Sequence, residues 1–280
     1  HSPFDPPEPY NRMYDPRKIP APHGSPELLK NRNPGLAHEH FTRCWDLLSP
    51  EQIQYSRAHY YGLISFQDIQ VSRILTFLEE RELLDDTAVL FTADHGETLG
   101  DFGVFFKAQF LQGSVSIPLM FRAPWAVPAG RIREQLAGTE DVLPTLCELA
   151  DIPGPEGIDG KSLVKTAAHG TPVRNIYISQ TGEKNQCYMA TDGRLKYCYA
   201  SRNGVEELYN LEEDPKELNN LIQESGGRKD ADKFRKYIIN WCRENGDEKM
   251  LTEDGDLVRE DYELLTDRPR LPASFGWRPY

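Results

Sequence analysis

Apolar and polar positions along the chain change their spacing several times, and each change predicts an element of secondary structure. Apolar residues recur at helical spacing over residues 50–82. Ser49 as N-cap, Pro50 at the first helical position and Gln52 at the third form a capping box. This segment is therefore predicted to be a long amphipathic helix packed on a sheet. Residues 1–48 show little periodicity and are predicted to form a long loop region.

Two short apolar runs after this helix have the composition of buried strands. They cover residues 87–92 and about residues 117–122. A continuous apolar run is typical of a strand that is covered on both faces, as in a parallel sheet. A further helix is predicted over about residues 139–150. Helices that alternate with buried strands predict an α/β sheet.

After about residue 170 the pattern changes to short strands separated by turns. The strands predicted here form an antiparallel meander over residues 175–180, 186–191, 194–200 and 206–211. A helix over about residues 229–244 and an acidic tail follow. The predicted domains are an α/β core in residues 1–170 and a small C-terminal subdomain of antiparallel sheet, helix and tail in residues 171–280.

The dipeptide Asp192-Gly193 predicts a two-residue hairpin loop of type I′. Such a loop would place Cys187 opposite Cys198 on the next strand. The Cα separation of about 5.5 Å at that hydrogen-bonded position permits a disulfide, and two unbridged cysteines are the favoured alternative. The five cysteines include no C-x-x-C pair, which argues against both a disulfide framework and a zinc knuckle.

Composition narrows the classes of function. The 280 residues carry 32 Lys+Arg against 44 Asp+Glu, a formal net charge of −12. No nucleic-acid partner and no membrane partner are expected, since basic stripes and an apolar run of about 18 residues are both missing. An anionic small substrate remains compatible, because a few cationic side chains can dominate the field inside a cleft. No targeting segment is seen after His1, so the compartment stays open.

Asp94 and His95 directly follow the first predicted strand. In open α/β sheets, ligands bind at the carboxyl ends of strands. A carboxylate beside an imidazole offers two ligands to one divalent cation, and Gly96 lets the backbone turn sharply. The dipeptide alone leaves two interpretations open: a metal site, or an Asx-type turn in which His95 has no ligand role.

The surrounding segment resembles a family signature. Residues 92–107 read TADHGETLGDFGVFFK, similar to the pattern D-[HN]-G-E-x-L-G-D-H-G with a later lysine in the sulfatase branch of the alkaline-phosphatase-like superfamily. The resemblance covers most of residues 1–225 in the expected order. Its further segments are the helix and strand over residues 61–91, SIPLMFRAP at 116–124, residues 141–150 and ELYNLEEDPKELNN at 207–220. It implies an alkaline-phosphatase-like sheet core flanked by helices.

By this resemblance, Asp94 and His95 would be two metal ligands, with calcium as the first candidate and magnesium or manganese as alternatives. Lys107 would hold a sulfate oxygen as a fixed positive charge. His1 would lie beside the ester oxygen as a hydrogen-bond donor or leaving-group acid. The alternative for Lys107, a solvated surface lysine, is disfavoured by its apolar neighbours Phe105, Phe106 and Ala108. His1 taken alone would be interpreted as a terminal residue without a role. The substrate would be a small-molecule or saccharide sulfate ester, and homo-oligomerisation stays open.

Two departures from the family pattern stand out. Phe102 occupies a position where the family often has His, which implies no direct catalytic role there and an altered leaving-group pocket. The sequence contains no Cys-x-Pro-x-Arg or Ser-x-Pro-x-Arg motif, whose first residue becomes the formylglycine nucleophile, and no paired-Asp metal strand. The chain is therefore expected to be the C-terminal portion of a longer enzyme, with formylglycine in the missing part, and to be inactive alone.

Three functions remain as hypotheses. The first is a metal-dependent sulfuric ester hydrolase. The second is a phosphonate monoester or phosphodiester hydrolase of the same superfamily. The Asp-His form of the ligand pair also occurs in relatives that resemble such hydrolases. The third is a non-catalytic, metal-binding α/β fragment. The tail at residues 271–280 is expected to pack on its own subunit, with an arm to a neighbouring subunit as the alternative.

Overall fold

The computed structural model describes residues 2–107, 109–181 and 186–265. The α-helices of this part of the chain are α1 (Pro34–Thr42), α2 (Pro50–Glu80), α3 (Gln112–Val115), α4 (Val142–Leu149), α5 (Val164–His169) and α6 (Gly227–Glu244). The strands are β1 (Val89–Thr92), β2 (Leu119–Arg122), β3 (Tyr177–Thr181), β4 (Cys187–Thr191), β5 (Leu195–Ala200) and β6 (Val205–Asn210). Within the described ranges, no helix combines the length and apolar character that a membrane span requires.

The N-terminal region contains a helix where the sequence pattern predicted only loop. α1 begins after Asn33, whose side-chain oxygen accepts a hydrogen bond from the Gly35 N–H at 2.9 Å. Pro34 occupies the first helical position, so the local sequence does hold a start signal. The buried positions of α1 lie only in its first turn. The helix therefore lacks the apolar periodicity that made α2 recognisable.

α2 begins as predicted and ends two residues before the predicted boundary. The Ser49 hydroxyl accepts a hydrogen bond from the Gln52 N–H, and the Gln52 side chain accepts one from the Ser49 N–H at 2.8 Å. Both halves of the capping box are thus present. This satisfies two backbone donors that the first turn of any helix leaves without an intrahelical partner.

The predicted packing of α2 on a sheet is not what the described residues show. α2 lies mainly against the short 3-10 helices Tyr10–Arg12 and Pro16–Lys18. Four apolar side chains of α2 are each 45–61% exposed: Ile64, Ile69, Ile74 and Phe77. The sheet of β1 and β2 could cover only part of α2, since 31 helical residues extend about 46 Å and a four-residue strand only about 13 Å.

β1 and β2 form the first sheet, and they run antiparallel. Val89 pairs with Arg122, and Thr92 pairs with Leu119. Both strands lie where the apolar runs predicted them, but the parallel arrangement expected there is wrong for this pair. An apolar run indicates that a strand is buried, but it does not indicate whether the neighbouring strand runs parallel or antiparallel to it.

The second sheet, called here the C-terminal sheet, consists of β3 to β6 in that order with every pair antiparallel. The predicted meander is confirmed. α6 covers one face, where Tyr188, Tyr197, Phe234 and Ile238 are fully buried. Phe110 packs on the opposite face, and consequently every residue of β4 and β5 is buried. The domain boundary near residue 170 stays a prediction.

The loop between β4 and β5 is longer than the predicted two residues. β4 ends at Thr191 and β5 begins at Leu195, so three residues connect the strands, and Thr191 pairs with Lys196. The Asp192 carboxylate accepts hydrogen bonds from the N–H groups two and three residues later, at 3.0 and 2.7 Å. This Asx-type arrangement, with Gly193 at φ +95°, extends the turn.

The longer loop shifts the strand register and separates the two cysteines. Cys187 pairs with Ala200, and Cys198 pairs with Met189, so the predicted Cys187–Cys198 pairing is wrong. Both cysteines are buried free thiols, as the favoured interpretation expected. Burial raises the pKa of each thiol, which keeps both in the protonated form.

Candidate active site

Asp94 and His95 lie at the carboxyl end of β1, where the chain leaves the sheet. The side chain of Asp94 is 87% exposed and that of His95 is 32% exposed. The two residues therefore present their polar atoms at the edge of the sheet and outside the core. This is the position in which α/β proteins bind ligands.

The next residue fixes the direction in which the chain turns. Gly96 donates its N–H to the Ser114 carbonyl oxygen at 2.7 Å. A Cβ atom at this position would lie 2.0 Å from the Gly113 carbonyl oxygen, which no side chain tolerates. Glycine is required here by the close approach of two backbone segments.

Hydrogen bonds orient the two candidate metal ligands. His95 Nδ1 lies 2.8 Å from the Gly96 carbonyl oxygen. A carbonyl oxygen only accepts, so Nδ1 carries a proton, and in the neutral imidazole Nε2 keeps its lone pair. Asp94 Oδ1 accepts the His95 N–H at 2.9 Å, which leaves Oδ2 available. Metal-binding histidines are commonly fixed by such a backbone carbonyl.

The remaining donor atoms have the spacing of two ligands on one cation. His95 Nε2 lies 3.5 Å from Asp94 Oδ2. Two ligands with bonds of about 2.3 Å, set at about 90° to each other, would be separated by about 3.3 Å. Among residues 2–107, 109–181 and 186–265, no group of three or more His, Cys, Asp or Glu side chains could hold a metal ion. The pair thus fits part of a coordination sphere.

Glu97 and Thr98 close the loop over residues 96–107, called here the signature loop. Glu97 Oε1 accepts the N–H groups of Leu99 and Phe106 at 3.2 and 2.5 Å. Thr98 donates its N–H to the Phe106 carbonyl oxygen at 3.0 Å. Burial raises the pKa of Glu97. The backbone directly before Lys107 is therefore held at both its N–H and its carbonyl group.

The middle of the signature loop is anchored in the N-terminal half of the chain. Asp101 accepts the His23 N–H at 3.1 Å and contacts the Arg57 guanidinium at 3.4 Å. Phe102 is 1% exposed with φ +54°, and the Arg32 guanidinium lies 4.1 Å from the centre of its ring. Phe102 is a core residue. The altered leaving-group pocket that Phe102 implies by resemblance stays a prediction.

The two predicted catalytic residues differ in what the structure says of them. Lys107 is exposed at the end of the signature loop, a position open to an anion. His1 lies outside the described residues, as does the tail at 271–280, so the predictions for both stay predictions. The structure places Asp94, His95 and Lys107 at the two ends of one short loop, and their roles stay predictions too.

Three acidic or basic residues near this loop were not singled out from the sequence. Glu97 lies within the family-like signature, while Lys196 and Glu217 come from the C-terminal sheet and the loop after it. Lys196 is 1% exposed and Glu217 is 2% exposed, and the two form an ion pair. A sequence signal existed for Lys196, since it falls inside a strand whose neighbours are apolar.

Comparisons with known proteins agree on one family. A family model described as "Sulfatase" matches residues 1–152, and one described as "N-sulphoglucosamine sulphohydrolase, C-terminal" matches residues 100–243. An arylsulfatase of Clostridium perfringens is 30% identical over 277 residues, which cover 95% of this chain and 56% of that protein. A choline-sulfatase of Rhizobium meliloti is 32% identical over 186 residues, 64% of this chain and 36% of that protein.

Solved structures show the same architecture. The crystal structure of a phosphonate monoester hydrolase of Agrobacterium radiobacter superimposes with a TM-score of 0.74 at 27% identity. The match covers 93% of this chain and 59% of that one. The chain spans about half the length of the relatives it matches.

Proposed function

The chain belongs to the sulfatase family of the alkaline-phosphatase-like superfamily, and we propose that the full-length protein hydrolyses sulfuric esters in a metal-dependent reaction. The observation that carries the proposal is the oriented Asp94–His95 pair, whose free donor atoms lie 3.5 Å apart at the carboxyl end of β1. The proposed substrate is a small-molecule or saccharide sulfate ester. Arylsulfatase and choline-sulfatase relatives support this substrate class.

In this proposal Asp94 and His95 hold a divalent cation, with calcium as the first candidate and magnesium or manganese as alternatives. The cation supplies Lewis-acid stabilisation of negative charge. Lys107 binds an oxygen of the sulfate group in both the ground state and the transition state, a role that its compact ammonium suits. His1 donates a hydrogen bond or a proton to the leaving oxygen.

We propose that the nucleophile comes from sequence outside these 280 residues. Sulfatases use a formylglycine made from the first residue of a Cys-x-Pro-x-Arg or Ser-x-Pro-x-Arg motif, and neither motif occurs in this sequence. The 280-residue chain by itself is then expected to turn over no aryl sulfate, whereas the full-length protein does. Hydrolysis by the purified chain would show instead that it contains a nucleophile of its own.

The direct test is turnover of an aryl sulfate by full-length protein with and without Asp94→Ala. We expect kcat/KM to fall on the order of 100-fold or more, since even residues that only orient a metal ligand change activity by about 10–100-fold. Asp254→Ala, which removes an exposed carboxylate from a distant turn, is the matched control. Equal rates for wild type and Asp94→Ala would remove Asp94 from the mechanism.

A phosphonate monoester or phosphodiester hydrolase is the second candidate. It is favoured by the 27% identical phosphonate monoester hydrolase structure, which covers almost the whole chain. A metal with a lysine can bind either kind of tetrahedral anion. The ratio of kcat/KM for an aryl sulfate to kcat/KM for a phenyl phosphonate ester separates the two, and a ratio well below one would favour the second candidate. If full-length protein turned over neither ester, the third hypothesis, a non-catalytic and metal-binding α/β protein, would be favoured.

A further inference from the structure

A buried pair of opposite charges, Lys196 from β5 and Glu217 from the loop after β6, binds the segment that follows Lys107. We propose that Lys196 and Glu217 are positioning residues that fix Lys107 for the sulfate group, an inference that rests on the proposed function. Neither residue is adjacent to Lys107 along the chain, and both act on the backbone a few residues after it.

The contacts of this pair are directed at backbone groups. Lys196 Nζ donates to the Phe110 carbonyl oxygen at 2.5 Å and to Gln112 Oε1 at 3.1 Å. Glu217 Oε2 accepts the Gln112 N–H at 2.8 Å. The ammonium and the carboxylate also bind each other. One carbonyl group and one N–H group of the segment are therefore bound by charged partners, which form stronger hydrogen bonds than neutral ones.

The chain adopts an unusual conformation to bring Glu217 to this place. Glu217 has φ +56°, a left-handed conformation that residues other than glycine rarely adopt. Its carbonyl oxygen accepts a hydrogen bond from the Arg32 guanidinium, which fixes the residue from a third side. Such conformations persist only where surrounding contacts determine them, and they concentrate at functional sites.

The opposite side of Lys107 is held as well. Glu97 binds the Phe106 N–H at 2.5 Å, and Thr98 binds the Phe106 carbonyl oxygen at 3.0 Å. Lys107 thus lies between one held residue directly before it and another, Phe110, three residues after it. One partly buried acid, Glu97, therefore binds the backbone before Lys107, and the buried pair Glu217 and Lys196 binds it after Lys107.

Stability alone does not account for the pair. Taking an ammonium and a carboxylate out of water is costly, and apolar side chains of similar volume often serve a core at least as well. What apolar side chains cannot do is select one carbonyl oxygen and one N–H group of a neighbouring segment. A fixed cation binds a sulfate oxygen better than a mobile one, because the ordering has taken place before the substrate arrives.

The test is the kinetics of full-length Lys196→Met on an aryl sulfate. Lys107 binds sulfate in ground and transition states alike, so a misplaced Lys107 is expected to raise KM about tenfold with little change in kcat. A merely structural defect lowers the active fraction, which reduces kcat and leaves KM unchanged. Arg235→Met is the matched control, because it removes a cation that binds Glu206 and Asp256 in the same part of the protein.

Hydrogen exchange of the peptide over residues 106–112 gives a readout independent of turnover. We expect faster deuterium uptake there in Lys196→Met and wild-type uptake in Arg235→Met. Unchanged KM and unchanged uptake in Lys196→Met, with an active wild type, would refute the positioning role alone. A wild type that hydrolyses no sulfate ester would refute the proposed function. If Lys196→Met does not fold, Glu217→Gln makes the same test, since it removes the charge and keeps the volume.

Discussion

At the scale of single residues, the polar side chains that matter here are oriented by backbone groups. The Gly96 carbonyl oxygen sets the tautomer of His95. The Gly96 N–H donates a hydrogen bond to the Ser114 carbonyl oxygen and so fixes the turn. Asp141 shows the same principle in the core. Its side chain is fully buried, and it accepts hydrogen bonds from Arg174, from the Gly138 N–H and from the Lys161 N–H.

Asp141 gives a prediction about pH. Burial alone would raise the pKa of its carboxyl group, but the hydrogen bonds from Arg174 and the backbone outweigh burial and lower it. A lowered folded-state pKa contributes stability above the unfolded value, near 3.8, and this stability is lost as pH falls through the folded-state pKa. Asp141→Asn is therefore expected to cost about 3–5 kcal/mol at pH 7 and less at pH 3.

Urea unfolding of Asp141→Asn at both pH values checks this expectation. Asp85→Asn is the control, because Asp85 pairs with Arg122 at an exposed site where loss of the pair costs less than about 1 kcal/mol. A cost for Asp141→Asn that is equal at pH 3 and pH 7 would show that the carboxylate charge is not what stabilises the fold.

At the level of elements, capping side chains mark where α1 and α2 begin. The capping box at the start of α2 and the Asn33 cap of α1 both satisfy N–H groups of a first turn. The signal of α2 was recognised because an apolar period follows it. The similar signal of α1 was missed because no such period follows.

The α2 cap is expected to be energetically significant. Ser49→Ala removes the oxygen that accepts the Gln52 N–H and should lower the free energy of unfolding by about 1 kcal/mol. Ser49→Asp should restore most of it, since Asp also caps and favours the helix N-terminus. Ser56→Ala, within the same helix, should be neutral or stabilising. Equal effects of Ser49→Ala and Ser56→Ala in urea unfolding would contradict the cap.

At the scale of the whole molecule, the N-terminal half and the C-terminal sheet meet in a buried polar junction. Glu207 of β6 binds the Arg32 guanidinium at 3.1 Å and the Asn33 N–H at 2.9 Å. The Arg32 guanidinium in turn lies against the ring of Phe102 in the signature loop. The C-terminal sheet is thus continuous, through direct contacts, with the loop between the candidate metal ligands and Lys107.

The full-length protein as a whole is predicted to be stabilised by binding a divalent cation. Adding calcium to protein stripped with a chelator should raise Tm, since a ligand at 100 times its Kd stabilises the native state by about 2.7 kcal/mol. Magnesium and manganese tested alongside identify the preferred cation. His95→Ala should abolish the shift, and His169→Ala, at the end of α5, should keep it. A full shift in His95→Ala would place the cation elsewhere.

The features that depend on neighbouring residues could be predicted from the sequence. The spacing of the signature, the α2 cap, the four strands of the C-terminal sheet and the position of Asp94 after a strand are all local patterns. Short-range periodicity and capping chemistry are set within a few residues, so they can be recognised before the fold is known.

Which distant segments meet, and in what register, became known from the folded structure. The antiparallel direction of β1 and β2, the burial of Phe102 and the Lys196–Glu217 pair depend on contacts between residues far apart in the chain. Cys187 and Cys198 are not paired because the turn held by the Asp192 carboxylate shifts the strand register by two residues. Such contacts balance desolvation against hydrogen bonding across the whole core, and residue spacing along the chain does not encode that balance.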